Sequence, residues 1–316
     1  MGWREHMKLT VVGGSGVVGS SSGYRIAQDG KVDEIVLYDV RRNLAEAHAL
    51  DIEQAVVHRS TTRLRGGDAD DTENSDIVFV TASVPKKDVE VSRREYLSLN
   101  LPLLLDAMTP LVQRSPSALW VIASSPVDPL VYLVRQWFSL PPARVIGLNR
   151  NDTSRFRWAV ARTLSVPSTS VDCFVLGEHG ETQVPAFSSI RVDGGRVTLS
   201  DHQIARIKGE MDTFFVKWNQ LQPGRTAGWT SAESIGDIVH GMITGDGKAW
   251  PCSTTLNGEY GLRDVSMGVP VRLGLGKVDE IVELELEPAE KAALAVSAAS
   301  IQAMIEDGKA ILEEQN

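Results

Sequence analysis

The run Lys8-Leu9-Thr10-Val11-Val12-Gly13-Gly14-Ser15-Gly16-Val17-Val18-Gly19 governs how the whole chain is understood. Leu9–Val12 is a short apolar stretch of strand type, and Gly14–Gly19 fits the pattern G-x-G-x-x-G. A helix-length segment follows over Val18–Gln28, then a second strand over Glu34–Tyr38. Asp39 stands at the end of that strand, 20 residues beyond Gly19. Alone, the glycine pattern also fits a tight structural turn. Between a strand and a helix, with a carboxylate at that spacing, it meets the demands of a dinucleotide. Glycines let the backbone approach a pyrophosphate, and a helix N-terminus supplies free N–H groups and a positive dipole end. A carboxylate can bind ribose hydroxyls and repel a 2′-phosphate. Gly14, Gly16, Val17, Val18, Gly19 and Asp39 are therefore candidate cofactor-binding residues, and NAD is the expected cofactor. Arg41 and Arg42 keep NADP as the alternative.

Outward from this unit, strand-like runs recur at Asp76–Thr81, Leu119–Ala123 and Arg144–Gly147. Helix-length segments at Asn43–Val57, Arg93–Val112 and Asp128–Phe138 separate them. Such alternation predicts a parallel sheet with helices on both faces. Apolar strands with little alternation fit a sheet buried on both sides. After about Asn149 the texture changes. Ser189–Leu199, with Asp193-Gly194-Gly195 at its middle, reads as a β-hairpin. Helices are expected at Asp201–Gln220, near Ser231–Thr244, and at Pro288–Glu314. The expected fold class is α/β, with a doubly wound parallel sheet over residues 7–148 and a second domain over 149–316.

Composition narrows the function. The chain's 316 residues suffice for roughly two domains at about 150 residues each. Asp and Glu number 41 against 32 Lys and Arg, a formal charge of −9. An acidic chain without basic runs is a poor partner for nucleic acid or an anionic membrane. No apolar run approaches the roughly 20 residues of a membrane span. The longest candidate, Leu119–Val134, is broken by Asp128 and two prolines. Cys173 and Cys252 stand far apart, which excludes a disulfide scaffold and a C-x-x-C motif. They read as buried thiols of a reduced, cytoplasmic protein.

A second group of residues bears chemistry. Asp152 and Arg155 precede the segment Val175-Leu176-Gly177-Glu178-His179-Gly180-Glu181. Of the six histidines, only His179 sits in a motif, flanked by Gly177 and Gly180, whose bends can present an imidazole at a strand end. A metal site built from Glu178, His179 and Glu181 is disfavoured, because adjacent residues of an extended chain alternate faces. No metal is expected.

With these segments in place the chain resembles the lactate/malate dehydrogenase family along nearly its whole length. The resemblance lies in Val12–Ser20, Leu37–Val40, Thr81–Asn100, Ala123–Leu130, Asn151–Arg157 and Leu176–Pro185. Its most specific element is Asp152-x-x-Arg155 followed, 27 residues after Asp152, by His179. The resemblance implies a Rossmann domain and then a mixed α/β catalytic domain. It also implies an NAD-dependent enzyme interconverting a 2-oxo acid and its (S)-2-hydroxy acid, malate and oxaloacetate being the leading pair. His179 is implied as general acid/base, Asp152 as the group that orients it and favours its protonated form. Arg155 is implied as the bidentate clamp on the substrate carboxylate. Arg93 is implied to stabilise the developing alkoxide from a mobile loop. Asn100 would touch the cofactor and Thr230 would line the substrate's side chain. A homodimer or homotetramer is implied as well.

Two departures bear on the substrate. Where the family has Asn-Pro-Val-Asp, this chain reads Ser125-Pro126-Val127-Asp128, so a hydroxyl replaces an amide that bonds substrate oxygen. The loop from Ser83 to Arg93 carries Lys86 and Lys87 where malate enzymes place Arg and lactate enzymes Gln. A lysine there favours a substrate with a second negative group. Lactate, a phosphonate- or sulfonate-bearing acid, and a non-catalytic NAD-binding role remain the alternatives.

Overall fold

The computed structural model describes residues 6–85 and 92–314; Lys86 and Lys87 lie outside the described residues. Strand β1 (Lys8–Val12) is buried from Leu9 onward, as a strand covered on both faces must be. It runs through the glycine turn into α1 (Val17–Asp29), which stops at Gly30 in the left-handed region, φ 62°. There follow β2 (Glu34–Tyr38), α2 (Arg42–Val56), β3 (Arg63–Gly67), β4 (Ile77–Val80) and α3 (Arg93–Arg114). The first half closes with β5 (Leu119–Ile122), α4 (Val127–Trp137) and β6 (Val145–Leu148). These six strands are parallel in the order β3-β2-β1-β4-β5-β6. The order reverses at β1, so a crevice opens at the carboxyl ends of β1 and β4, where the glycine turn lies. The expected α/β class is the one found.

The second half contains α5 (Arg150–Leu164), β7 (Val171–Leu176), β8 (Val184–Val192), β9 (Gly195–Arg196), α6 (Asp201–Gln220) and α7 (Trp229–Thr244). It ends with β10 (Ala249–Asn257), β11 (Arg263–Gly274), β12 (Lys277–Ile281) and α8 (Pro288–Glu314). Strands β10 to β12 extend the first sheet antiparallel beyond β6, with Cys252 opposite Leu148. Among the described residues nine strands thus form one continuous sheet. Its side chains, with Trp120, Phe79 and Leu9 fully buried, make the main core. Strands β7, β8 and β9 form a separate antiparallel sheet, packed on α5 and α6 around Phe156, Ile190 and Ile207.

One bridge joins the two sheets next to the histidine motif. Gly177 N–H donates to Gly268 O at 2.9 Å, and Gly268 N–H donates back at 2.8 Å. Gly177 holds φ 85°, a conformation that suits glycine. The chain therefore turns sharply at the end of β7, directly against β11.

The expected hairpin is present but shifted. Its first strand begins at Val184 and its second is only Gly195–Arg196, with Asp193 and Gly194 at φ 48° and 78°, as a tight hairpin turn needs. Sequence reading passed over β3, α5, β7 and β10 to β12. Among the described residues no helix is long and apolar enough to cross a membrane.

Candidate active site

The glycine turn is shaped by three different demands. Gly14 lies against Leu37, where a Cβ would sit 2.7 Å from the Leu37 Cβ. At Gly19 a Cβ would fall 3.0 Å from Gly13 C and Gly14 Cα and closer still to Gly13 O, so α1 can approach the turn only with glycine there. Gly16 faces open space apart from Gly13 O at 3.3 Å. It is also the residue before α1, and it supplies no side-chain cap. The first N–H groups of the helix, at Val17 and Val18, are thus left for an external acceptor. Asp39 Oδ2 accepts from Ser15 N–H at 3.0 Å and Oδ1 from Arg41 N–H at 2.9 Å. Burial alone would raise the Asp39 carboxyl; these donors and the charge of Arg41 hold it below its ordinary value. A fixed anion, an uncapped helix end and an open glycine fit a dinucleotide.

This division of labour has a measurable consequence. Gly19→Ala should cost about 1–3 kcal/mol of stability by overpacking, read in denaturant unfolding. Gly16→Ala should cost less stability and instead weaken NADH binding. Equal stability losses for the two variants would contradict the assignment.

The second cluster gathers on the histidine turn. Asp152 and Arg155 lie in the first turns of α5, three residues apart and so on one face. Arg155 Nη1 donates to Asp152 Oδ1 at 2.6 Å, and its guanidinium lies over the Phe214 ring at 4.7 Å. The other carboxylate oxygen, Asp152 Oδ2, takes His179 Nδ1 in a very short contact. One buried carboxylate therefore joins the imidazole to the guanidinium. Burial would raise Asp152, but His179, Arg155 and Arg93 together hold it below its ordinary value. Burial would lower His179, but the Asp152 charge and hydrogen bond outweigh it, so the imidazole is shifted upward. With Nδ1 committed, Nε2 is the nitrogen left to exchange a proton.

The backbone of the same turn is pinned from three elements. His179 N–H donates to Asp128 Oδ2 at 2.7 Å. Asp128 is fully buried at the start of α4, and burial pushes its carboxyl up to about 6. Glu178 N–H donates to Ser297 Oγ of α8 at 2.8 Å. Arg93 Nη1 donates to His179 O at 2.6 Å and lies 3.6 Å from Glu178 Oε1. Arg93 opens α3, whose N-cap Ser92 accepts from Glu95 N–H at 3.2 Å.

Asn100 lies between two loops. It is fully buried, and its amide is committed within the protein. Nδ2 donates to Ser125 O at 2.7 Å, and Oδ1 accepts from Val84 N–H at 2.8 Å and Ser83 Oγ at 3.2 Å. It ties the loop after β4 to the loop after β5. Ser125 is exposed. Thr230 lies in the first turn of α7, next to Ser231, whose hydroxyl accepts from Asn151 Nδ2 at 3.0 Å. That bond docks α7 on α5 beside Asp152. No group of three or more His, Cys, Asp or Glu among the described residues is arranged to hold a metal.

Sequence reading missed Asp128, Glu178 and Ser297 in these roles. A signal existed for Asp128, a lone carboxylate inside the most apolar stretch of the chain. Ser297 lies on an amphipathic helix and had none.

The lactate/malate dehydrogenase NAD binding domain matches residues 7–147, and the lactate/malate dehydrogenase alpha/beta C-terminal domain matches residues 150–312. A malate dehydrogenase of Halobacterium salinarum is 32% identical over 303 residues, covering 95% of this chain and 99% of its own length. The crystal structure of a malate dehydrogenase from Salinibacter ruber superposes with a TM-score of 0.89 at 28% identity, over 98% of this chain and 100% of that one. A lactate dehydrogenase from Cryptosporidium parvum, complexed with lactic acid and nicotinamide adenine dinucleotide, gives 0.91 at 27% identity, over 97% and 99%.

Proposed function

From the premise that the chain belongs to the lactate/malate dehydrogenase family and is an NAD-dependent L-2-hydroxy acid dehydrogenase, we propose that it interconverts malate and oxaloacetate, with His179 moving the proton. The observation that carries the proton role is the His179–Asp152–Arg155 arrangement, in which one carboxylate serves both cations. NAD, when bound, supplies or takes up the hydride. Gly14, Gly16, Val17, Val18, Gly19 and Asp39 hold it at the glycine turn, in the unit formed by residues 7–148. Residues 149–316 contribute the proton-transfer group and the carboxylate clamp.

In the reductive direction His179 enters as imidazolium and gives its Nε2 proton to the substrate's carbonyl oxygen. Asp152 stabilises that cation through Nδ1 and fixes the ring's orientation. The guanidinium of Arg155, held by Asp152 and Phe214, receives the substrate carboxylate. Arg93, against the His179 carbonyl, stabilises the negative charge that develops on the substrate oxygen. In oxidation His179 takes the proton back.

The preference for malate and oxaloacetate is supported by Lys86 and Lys87 and by the malate dehydrogenases among the relatives. A lysine desolvated beside the substrate needs a counter-charge, and the methyl group of pyruvate leaves it unpaired at a cost of several kcal/mol. We expect higher kcat/KM for oxaloacetate than for pyruvate in the wild type. That preference should shrink in Lys86→Gln or Lys87→Gln, and unchanged selectivity in both variants would remove the lysines from substrate choice. A phosphonate or sulfonate analogue of the substrate belongs in the same assay, because lysine lacks the carboxylate-matching fork of arginine.

For the cofactor, NADH should be used in preference to NADPH. The fixed Asp39 carboxylate discriminates by repelling a 2′-phosphate. Equal kcat/KM with the two cofactors would instead make Arg41 or Arg42, each 62% exposed, a phosphate ligand.

A further inference from the structure

Glu178 takes part in none of the steps above, yet its carboxylate stands beside a site for anionic substrates while only 3% exposed. Its two oxygens are used differently. Oε2 accepts from Thr182 Oγ1 at 2.5 Å and from Thr182 N–H at 3.3 Å. Oε1 is turned to Arg93, with Nη1 at 3.6 Å, and that same nitrogen donates to His179 O. The residue is anchored by Ser297 Oγ on its own N–H, and Thr182 Oγ1 lies 3.1 Å from that serine hydroxyl. The carboxylate is fixed by α8 and by the turn itself, independently of Arg93. Gly180 is a second and separate observation. A Cβ there would lie 2.6 Å from both Cζ and Nη1 of Arg93 and closer still to Glu178 Oε1. The ion pair occupies the space that any side chain at that position would need.

We propose that Glu178 is a positioning residue for Arg93, holding the guanidinium against the His179 carbonyl so that it stands beside the imidazole before substrate arrives. The inference rests on the roles of His179 and Arg93 given under the proposed function. The Arg93 side chain is 40% exposed. A long side chain so placed loses rotamer freedom when a ligand fixes it, and that loss weakens binding. A buried carboxylate that has already fixed the guanidinium lowers the loss. Stabilisation of developing charge works best with donors that need no reorganisation. The glycine at 180 follows from the same requirement, since it admits the pair.

The test is a double-mutant cycle on the full chain, with NADH and oxaloacetate. It compares the wild type, Glu178→Gln, Arg93→Ala and the double variant. Glu178→Gln should lower kcat/KM about tenfold, a coupling of ordinary size for paired residues, with most of the change in kcat, because Arg93 acts on charge that develops in the transition state. In the Arg93→Ala background the same substitution should add little. NADH binding and melting temperature are read alongside. A fold-change in kcat/KM that is equal in the two backgrounds overturns the proposal. Gly180→Ala, which leaves both partners chemically intact but displaces them, should reproduce the loss of kcat/KM and its dependence on Arg93. If Glu178→Gln does not fold, this variant carries the cycle, and additive effects there overturn the proposal equally. The underlying functional reading fails at a different step, when the wild type turns over no 2-oxo acid.

Discussion

His179→Asn should fold, bind NADH and lose about 10²–10⁴-fold in kcat, the usual worth of a positioned general acid/base. Asparagine is smaller than histidine and polar, and its amide can still donate to the buried Asp152 carboxylate, so the cluster keeps a partner for that charge. What it lacks is a titratable ring nitrogen. A variant that retains near wild-type kcat would remove His179 from the reaction. Stability gives a second readout with a definite sign. The folded-state pKa of His179 lies above its ordinary value. Its contribution is therefore fully present below the unfolded imidazole value of about 6.5 and is lost as pH rises through the folded value. The wild type's melting-temperature advantage over His179→Asn should shrink as pH is raised above the ordinary imidazole value of about 6.5. An advantage that grows over that range would reverse the assignment.

Asp152→Asn is expected to be nearly as damaging, on the order of 10³-fold in turnover, because it removes both the orientation of the imidazole and the charge that favours its cation. Two cations depend on this carboxylate. Withdrawing it should also destabilise the fold by about 3–5 kcal/mol, the cost of breaking a buried ion pair from one side. The pH profile separates this role from simple damage. Without Asp152 the remaining influence of burial lowers the His179 pKa, so the loss of reductive activity with rising pH should set in at lower pH than in the wild type. A variant with reduced turnover and an unmoved profile would leave Asp152 as a structural residue only. In the wild type Asp152 itself titrates below the ordinary carboxylate value. The stability it contributes is present above the unfolded value of about 3.9 and is lost as pH falls through the folded one.

Much of this was legible along the chain because it is local. The apolar runs of β1, β2, β4, β5 and β6 and the helices between them lie within a residue or two of where their patterns place them. The glycine turn with Asp39 is a contiguous unit whose chemistry can be read from spacing alone. The later strands were harder. Pro251 lies within β10 and Pro270 within β11, residues that argue against a strand when read along the chain. Both strands are buried along most of their length, so neither shows the alternation that marks a half-exposed strand. The pairing of β10 with β6 joins segments about a hundred residues apart.

The sequence by itself determined the α/β class, the nucleotide-binding turn and the residue types needed for proton transfer and carboxylate binding. Only the tertiary structure decided how those residues share their partners. Asp152 serves His179 and Arg155 at once, and the Asn100 amide ties two loops together. Asp128 and Ser297, far apart in the chain, hold adjacent N–H groups of one turn. The physical reason is that a hydrogen bond or an ion pair acts over about 3 Å and is blind to sequence separation. Which donors meet which acceptors is settled only when the sheet and helices pack.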